Sequence, residues 1–234
     1  MKTINIIKEY YGDEFEIFKT DDIDIEPGLN ILVGCNGYGK TTFLKITQEI
    51  LKQHKIPYVF YSDLHDGRNN AMEKAGLHNT EALITLLQSS EGESLIYNFG
   101  SFLETLFPFI KTGINSFHPD FSDIFSSEEK EEITSNERWI LIDAIDSGTS
   151  IDNLTEIINV LKIALNHAKQ LGKEMYILIS TNNYEFARNN NCIDVVNGYY
   201  VQFKDYEDYR KFILNSAATK MERYKKEGEI NNVS

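Results

Sequence analysis

The residues best suited to chemistry lie in one glycine-rich stretch near the N-terminus, Gly34-Cys35-Asn36-Gly37-Tyr38-Gly39-Lys40-Thr41-Thr42. The stretch fits the pattern G-x-x-x-x-G-K-[ST], in which glycines let successive backbone N–H groups converge on phosphate oxygens. In such a loop the lysine, Lys40, reaches the β- and γ-phosphates, and the Thr41 hydroxyl is a ligand of Mg²⁺. We expect nucleotide contacts from Asn36, Gly37, Tyr38, Gly39, Lys40, Thr41 and Thr42.

The flanking patterns predict the elements that would position this loop, residues 34–42, which we call the phosphate loop. Residues 29–33 form a short apolar run typical of a buried strand, and residues 41–46 begin an apolar-periodic helix that we expect to end near Gln53. A helix N-terminus presents unpaired N–H groups and a partial positive charge, and both favour phosphate. The sequence therefore predicts a nucleotide site, the alternative being a glycine-rich turn without a ligand.

A second candidate group follows another apolar run. Residues 139–143, Trp-Ile-Leu-Ile-Asp, predict a short buried strand that ends in an acid. An aspartate at the end of a parallel strand beside the phosphate loop can hold the water shell of Mg²⁺, so we expect Thr41 and Asp143 to share the metal. The five histidines do not cluster with the two cysteines at metal-ligand spacing, which gives no indication of a zinc site.

The form of the loop and the order of the motifs resemble the ABC-type P-loop ATPases. Asn36 takes the third place of Gly-x-Asn-Gly-x-Gly-Lys-Thr-Thr, as in the Walker A motif of that family. Residues 139–143 resemble its Walker B strand, and residues 144–152 resemble the continuation through the D-loop, with Ser150 and Asp152. The resemblance covers nearly the whole chain and implies ATP and Mg²⁺ as cofactors.

A loop between these motifs resembles the family's signature loop in its S-x-G-E form: Ser90, Glu91, Gly92 and Glu93. It precedes a strongly apolar helical pattern over residues 95–110, so it can form an anion site at a helix N-terminus. In the family this loop caps the γ-phosphate bound by the partner subunit, which implies an ATP-dependent homodimer around two ATP and two Mg²⁺. A competing stretch at residues 126–130 lacks the glycine and is typical of an ordinary helix cap.

Two positions depart from the family pattern in the chemistry they can perform. Ala144 stands where the family has a glutamate that orients or deprotonates the attacking water, so we expect impaired hydrolysis. Two explanations stay open: a chain built to hold ATP, or an engineered replacement of a glutamate made to trap the ATP-bound dimer. Asn182 stands where the family often has a switch histidine; it can donate a hydrogen bond but cannot carry a proton. We take Lys40, Asp143, Ala144 and Asn182 as the candidate catalytic positions.

Two further family features are matched less directly. A glutamine that meets Mg²⁺ and the γ-phosphate is missing after the strand at residues 57–61. Ser62 or Asp63 could substitute for it, the favoured alternative being a plain turn at the end of the strand. An aromatic residue of the N-terminal lobe often stacks on adenine, and Tyr10 and Tyr11 are candidates. Cross-strand packing is the alternative role for both tyrosines.

The patterns predict one α/β domain over residues 1–234, with a mostly parallel sheet flanked by helices. We expect an N-terminal antiparallel β lobe at about 1–28, a P-loop core at about 29–62 and 138–204, a short helical signature lobe at about 63–137, and a C-terminal helix at about 205–226. The helical lobe is short for a transporter cassette, and no heptad-repeat arms of a full SMC-type chain occur. The chain therefore resembles the compact stand-alone ATPases related to RecF and SMC.

Charge and composition limit the partners. The net charge of -13 argues against DNA binding by this subunit alone, because phosphate neutralisation by basic residues carries most such affinity. The basic cluster at residues 220–226 is interrupted by the acidic Glu222, and we interpret it as a solvated helix face. No apolar run is long enough for a membrane span, and the N-terminus does not resemble a signal peptide. With only two cysteines, a cytoplasmic location is the simplest expectation.

The function we expect is an ATP-binding and hydrolysing ABC-type ATPase that dimerises around two Mg-ATP and switches the activity of a protein partner. Stand-alone ATPases of this kind resemble those of DNA repair and anti-phage defence, although the charge gives no direct support for DNA. The alternative is an ATP-gated regulatory module with negligible hydrolysis.

Overall fold

The computed structural model describes residues 1–6, 17–62, 91–116, 133–145 and 150–231, with only the backbone for 91–101 and 226–231. The strands of the described residues are β1 (Lys2–Asn5), β2 (Asp22–Ile25), β3 (Gly28–Val33), β4 (Tyr58–Ser62), β5 (Glu137–Asp143), β6 (Glu174–Ser180), β7 (Asn191–Asp194) and β8 (Tyr199–Val201). The helices are α1 (Lys40–Gln53), α2 (Glu91–Thr112), α3 (Ile151–Gln170), α4 (Tyr184–Ala187) and α5 (Tyr206–Asn231).

Six of the described strands form one sheet in the order β4-β5-β6-β3-β7-β8. All neighbours up to β7 are parallel, and only β8 runs antiparallel, after the Asn197-Gly198 turn, where Gly198 has a φ of +76°. Strands β1 and β2 pair separately as an antiparallel ribbon, with Ile4 opposite Ile23. The predicted fold class is therefore confirmed: a mostly parallel α/β sheet with a small antiparallel element.

Helices cover both faces of the large sheet, and the alternation along β3 shows why. Ile31 and Val33 pack into one core with residues of α2, α3 and α4, whereas Leu32 packs on the other face against α1 and the β1–β2 ribbon. A strand that is apolar on both faces has to be central in a covered sheet. Strand β3 has β6 and β7 as its neighbours, so the loop that follows it emerges from the centre of the sheet.

Strand β5, which carries Asp143, is anchored at its other end by a buried guanidinium. Arg138 is 1% exposed and donates to the backbone oxygens of Ile110, at 3.0 Å, and Ser135, at 2.9 Å. Burial lowers the pKa of Arg138, but the group stays charged at any ordinary pH. The contact ties the C-terminal turn of α2 to the start of β5, because the terminal carbonyls of a helix need donors from outside it.

Several predicted bounds hold closely. The phosphate-loop helix ends at Gln53 as expected. The apolar periodicity of residues 151–171 predicts an amphipathic helix, and α3 begins at Ile151 and ends one residue early, at Gln170. The C-terminal helix is longer than predicted and ends at Asn231. An alternating pattern at residues 15–17 predicts a middle strand in the N-terminal lobe, of which only residue 17 is described. Residues 79–81 indicate a helix start, and the polar stretch 111–137 indicates a surface insertion; the first of these, and residues 117–132 of the second, lie outside the described residues. Among described helices, none has the length and apolar character to cross a membrane.

Candidate functional site

A cavity of about 210 Å³ opens at the carboxyl ends of β3, β5 and β6. In open parallel sheets this edge is the usual place for a ligand. The cavity brings together all the loop residues predicted to contact nucleotide. Asp143 and Ala144, at the end of β5, line it as well, and so does Asn182, the residue expected at the switch position. It is lined by Ile17, Asn36, Gly37, Tyr38, Gly39, Lys40, Thr41, Thr42, Asp143, Ala144, Ser180, Thr181 and Asn182.

The phosphate loop depends on glycine for conformation and for space. Gly34 and Gly39 have φ values of +143° and +116°, a region that other residues adopt only with strain. A methyl group on Gly34 would overlap the Tyr38 ring, and one on Gly39 would come within 2.8 Å of the Ile17 side chain. The loop therefore folds back tightly on its own aromatic residue.

Tyr38 lines the cavity, and its ring packs against Gly34 of the same loop. The residue is only 3% exposed, and its hydroxyl hydrogen-bonds Asp194. Burial first, and then the neighbouring Asp194 carboxylate, raise the pKa of Tyr38 above its ordinary value. Asp194 also accepts from the Val196 and Asn197 N–H groups at 3.1 and 3.2 Å, so it ties the loop to the β7–β8 turn.

This packing leads to a stability prediction for Gly34→Ala. The free energy of unfolding should fall by about 1–2 kcal/mol because of the left-handed backbone, and by about 1–3 kcal/mol more because of the clash with Tyr38. Urea unfolding measures the change. Gly28→Ala is the matched control, because Gly28 has a φ of +121° but nothing within 4 Å of an added methyl group. Equal losses for the two variants would show that the Tyr38 contact is not tight.

Lys40 lines the cavity and is 7% exposed. Its ammonium group donates to the backbone oxygens of Gly34, at 2.6 Å, and Cys35, at 3.1 Å. It also donates to the Asn182 side-chain oxygen at 2.8 Å, and the Asn182 amide nitrogen in turn donates to Asn36 Oδ1 at 2.7 Å. The Asn182 amide therefore bridges Lys40 and Asn36. Asn36 lies in the loop after β3 and Asn182 follows β6, so the bridge joins two sides of the cavity.

Thr41 and Asp143 meet beside Lys40, as the motif predicts. The Thr41 hydroxyl donates to Asp143 Oδ1 at 3.1 Å, and Asp143 is 2% exposed at the last position of β5. A hydroxyl and a carboxylate at this separation can face one divalent ion, directly or through water. Mg²⁺ in phosphate sites commonly uses one or two such protein groups and takes its remaining ligands from phosphate and water. The donor set therefore fits Mg²⁺ bound together with a phosphate chain.

Ala144 lines the same cavity directly after Asp143. It has a φ of +58°, one of the few non-glycine residues of the described chain in the left-handed region, and its N–H donates to Ser180 O at 3.2 Å. Left-handed non-glycine residues are uncommon and cluster at functional sites. The bond to β6 fixes where the side chain projects. A methyl group at this place can neither accept a proton nor hold a water molecule.

Among the described residues, the predicted D-loop residues do not line this cavity. Ser150 and Asp152 are exposed at the start of α3, where the Ser150 side chain hydrogen-bonds Asp152 and keeps the pKa of that carboxyl below its usual value. Residues 91–93 form the first turn of α2, as a signature loop that opens a helix requires, but Ser90 lies outside the described residues. Their roles stay predictions.

The candidates for the family's glutamine and for its adenine-stacking aromatic residue lie only partly within the described residues. Ser62 ends β4, is 2% exposed, and lies opposite Asp143 in the register of the sheet. It is absent from the cavity lining, so its role in place of a glutamine stays a prediction. Asp63, Tyr10 and Tyr11, and the competing stretch at residues 126–130, lie outside the described residues.

The interpretation of the basic C-terminal run as a solvated face is wrong for two of its residues. Lys220 and Arg223 are half-buried and donate to the phosphate-loop oxygens Asn36 O, at 2.9 Å, and Gly37 O, at 3.0 Å. Ser216, one turn earlier, donates to Ile213 O and accepts from the Cys35 N–H at 2.9 Å. Residues 216, 220 and 223 share one helix face by their spacing, which is the signal that could have grouped them. Nothing in that spacing identifies the loop as their partner.

Comparison with solved structures finds a likeness to the dimeric ATP-binding cassette MJ0796, in a post-hydrolysis state bound to ADP and Pi. The sequences are 12% identical, the TM-score is 0.40, and the alignment covers 88% of this chain and 97% of that one. No family model matches the chain, and no curated protein matches it either. At this identity and TM-score, the likeness leaves the ligand and the reaction to be inferred from the cavity itself.

Proposed function

We propose that the chain binds ATP with Mg²⁺ in the cavity between the phosphate loop and the ends of β5 and β6. One observation carries this proposal: Lys40 is the cation among the described residues that line the cavity, and the Thr41 hydroxyl meets Asp143 Oδ1 in the same lining at 3.1 Å. The glycine-rich backbone and the N-terminus of α1 would hold the β-phosphate, and Lys40 would pair with the β- and γ-phosphates. The magnesium ion would be held through Thr41 and Asp143, and it would neutralise charge on the phosphate oxygens.

We further propose that the chain is an ABC-type ATPase that closes as a homodimer around two Mg-ATP and so switches a protein partner. Support comes from the order of the motifs, with the S-x-G-E stretch opening α2 between the phosphate loop and β5. In phosphoryl transfer a protein mainly positions groups and stabilises charge. A site completed by a second subunit would therefore link hydrolysis to assembly.

A second candidate function is favoured by Ala144. Because the residue after Asp143 cannot act as a general base, the chain would hold ATP and cleave it slowly, as an ATP-gated regulatory module. The two functions share the binding site and the dimer but differ in turnover. Phosphate release at saturating Mg-ATP, measured per dimer, separates them.

The dimer proposal leads to a prediction for solution mass. Mg-ATP should double the mass measured by light scattering, and the dimer should persist because Ala144 slows the hydrolysis that would release it. Ser90→Arg should prevent the doubling, because the added side chain would fill the place of the partner's γ-phosphate. Thr134→Arg adds the same charge at an exposed residue near the opposite end of β5 and should dimerise normally. A wild-type chain that stays monomeric with saturating ATP would overturn the dimer proposal.

A further inference from the structure

Helix α5 lies against the outside of the phosphate loop and bonds three consecutive residues of it. Ser216 accepts from the Cys35 N–H at 2.9 Å, Lys220 donates to Asn36 O at 2.9 Å, and Arg223 donates to Gly37 O at 3.0 Å. The first two of these loop residues precede Lys40 by five and four positions. Neither Lys220 nor Arg223 lines the cavity, so these cations act on the backbone of the loop.

The direction of these bonds fixes the orientation of the loop's peptide groups. In a trans peptide the C=O and the following N–H point in opposite directions. Lys220 holds the Asn36 carbonyl on the outer side of the loop, so the Gly37 N–H points the other way, and Gly37 lines the cavity. With a φ of +73° and no side chain, Gly37 could otherwise rotate at little cost.

The same helix also reaches the opposite wall of the cavity. Tyr209, which is 4% exposed, donates its hydroxyl to the backbone oxygen of Asn182 at 2.9 Å. Asn182 is the residue whose amide bridges Asn36 and Lys40. Helix α5 therefore bonds both residues, Asn36 and Asn182, whose side chains meet across the cavity.

We infer that α5 is part of the nucleotide site, and that Lys220 and Arg223 are positioning residues that hold residues 36–37 ready for the γ-phosphate and so favour ATP over ADP. The inference rests on the proposed function, because it takes the ligand of the cavity to be ATP. A γ-phosphate that pairs with Lys40 has to replace or join the Asn182 side-chain oxygen, which now accepts from Lys40. That exchange takes place at the end of the loop where Asn36 contacts Asn182, which is the end that α5 holds.

Binding measurements with ATP and with ADP test the inference in the full-length chain. The double variant Lys220→Ala/Arg223→Ala should weaken ATP binding by about tenfold, as expected for two partly exposed charge-assisted hydrogen bonds. ADP binding should weaken by no more than about threefold, because the β-phosphate is held by Lys40 and the start of α1. The single variant Lys220→Arg should keep most of the wild-type ATP affinity, because its guanidinium group can still donate to Asn36 O.

The charge-matched control is Lys225→Ala. Lys225 is exposed on the same helix, and no hydrogen bond to the phosphate loop is found for it among the described residues. If α5 acted only by long-range attraction for the anionic ligand, each lost cation would have a similar effect, and added salt would remove it. The positioning role requires Lys225→Ala to bind ATP as the wild type does, and requires the ATP preference to persist at high salt.

The outcomes separate the inference from the function on which it rests. Wild-type protein that binds ATP more tightly than ADP, with a double variant that has lost this preference, supports the inference. A double variant that binds ATP like the wild type, or weakens ATP and ADP equally, overturns the inference and leaves ATP binding intact. A wild-type chain that binds neither nucleotide overturns both. Melting of each variant without nucleotide shows whether a loss of fold explains the change.

Discussion

Mg-ATP should stabilise this protein against heat, and Lys40→Ala should abolish that stabilisation. A ligand at 100 times its Kd stabilises the folded state by about 2.7 kcal/mol, which for a chain of this size raises the Tm by about 5–10 °C. Lys40 is the cation among the described residues that line the cavity, and its ammonium group donates to the Asn182 side-chain oxygen at 2.8 Å. Its loss should weaken ATP binding by about a hundredfold or more, since hydrogen bonds between charged groups are the strong ones.

The measurement is a pair of melts for each protein, with and without Mg-ATP, so that any change in basal stability cancels. Some basal change is expected, because Lys40 also donates to the Gly34 and Cys35 carbonyls. Lys45→Ala is the matched control: it removes an exposed lysine one and a half turns along the same helix and should keep the full shift. A Lys40→Ala protein that keeps the wild-type shift would exclude the phosphate-loop assignment.

The central part of the fold could be predicted from local patterns because each element follows from short-range physics. The apolar run before Gly34 has to be a covered strand, and it is the central strand β3. The acid that ends the second run, Asp143, comes within reach of Thr41 because parallel strands share one carboxyl edge. The motif spacing thus predicts the meeting of residues 102 positions apart.

The parts that could not be predicted depend on contacts that no local pattern records. Tyr38 occupies a variable position of the motif, and only the tertiary fold shows that its ring fills the space left by Gly34. Lys220 and Arg223 lie more than 180 positions from the loop carbonyls that they bind. A basic run interrupted by an acid is typical of a solvated helix. One face of α5 is nevertheless half-buried, because Tyr209 and its neighbours pack on the core.

Ala144 raises a question about strain as well as chemistry. Its left-handed conformation costs about 1–2 kcal/mol relative to a right-handed one for any residue with a side chain. The Ser180 carbonyl and the turn out of β5 hold it there. Glutamate pays a similar backbone cost and has an unbranched side chain, so Ala144→Glu should fold as well as the parent chain. The substitution therefore tests the chemistry of position 144 and does not test whether the fold tolerates a larger side chain there.

Ala144→Glu should raise the rate of phosphate release at saturating Mg-ATP by about a hundredfold or more, the lower end of what a positioned general base contributes. The carboxylate would project from a position fixed by the Ser180 bond, beside Asp143 and Thr41, where the attacking water would have to lie. ATP affinity should change little, because Lys40 and the metal ligands are untouched. Ala144→Gln has the same length and no basic oxygen, and it should release phosphate at less than about a tenth of the glutamate rate. Equal, near-zero release from all three proteins would identify the chain as one that holds ATP without cleaving it, and would place its function in the bound dimer.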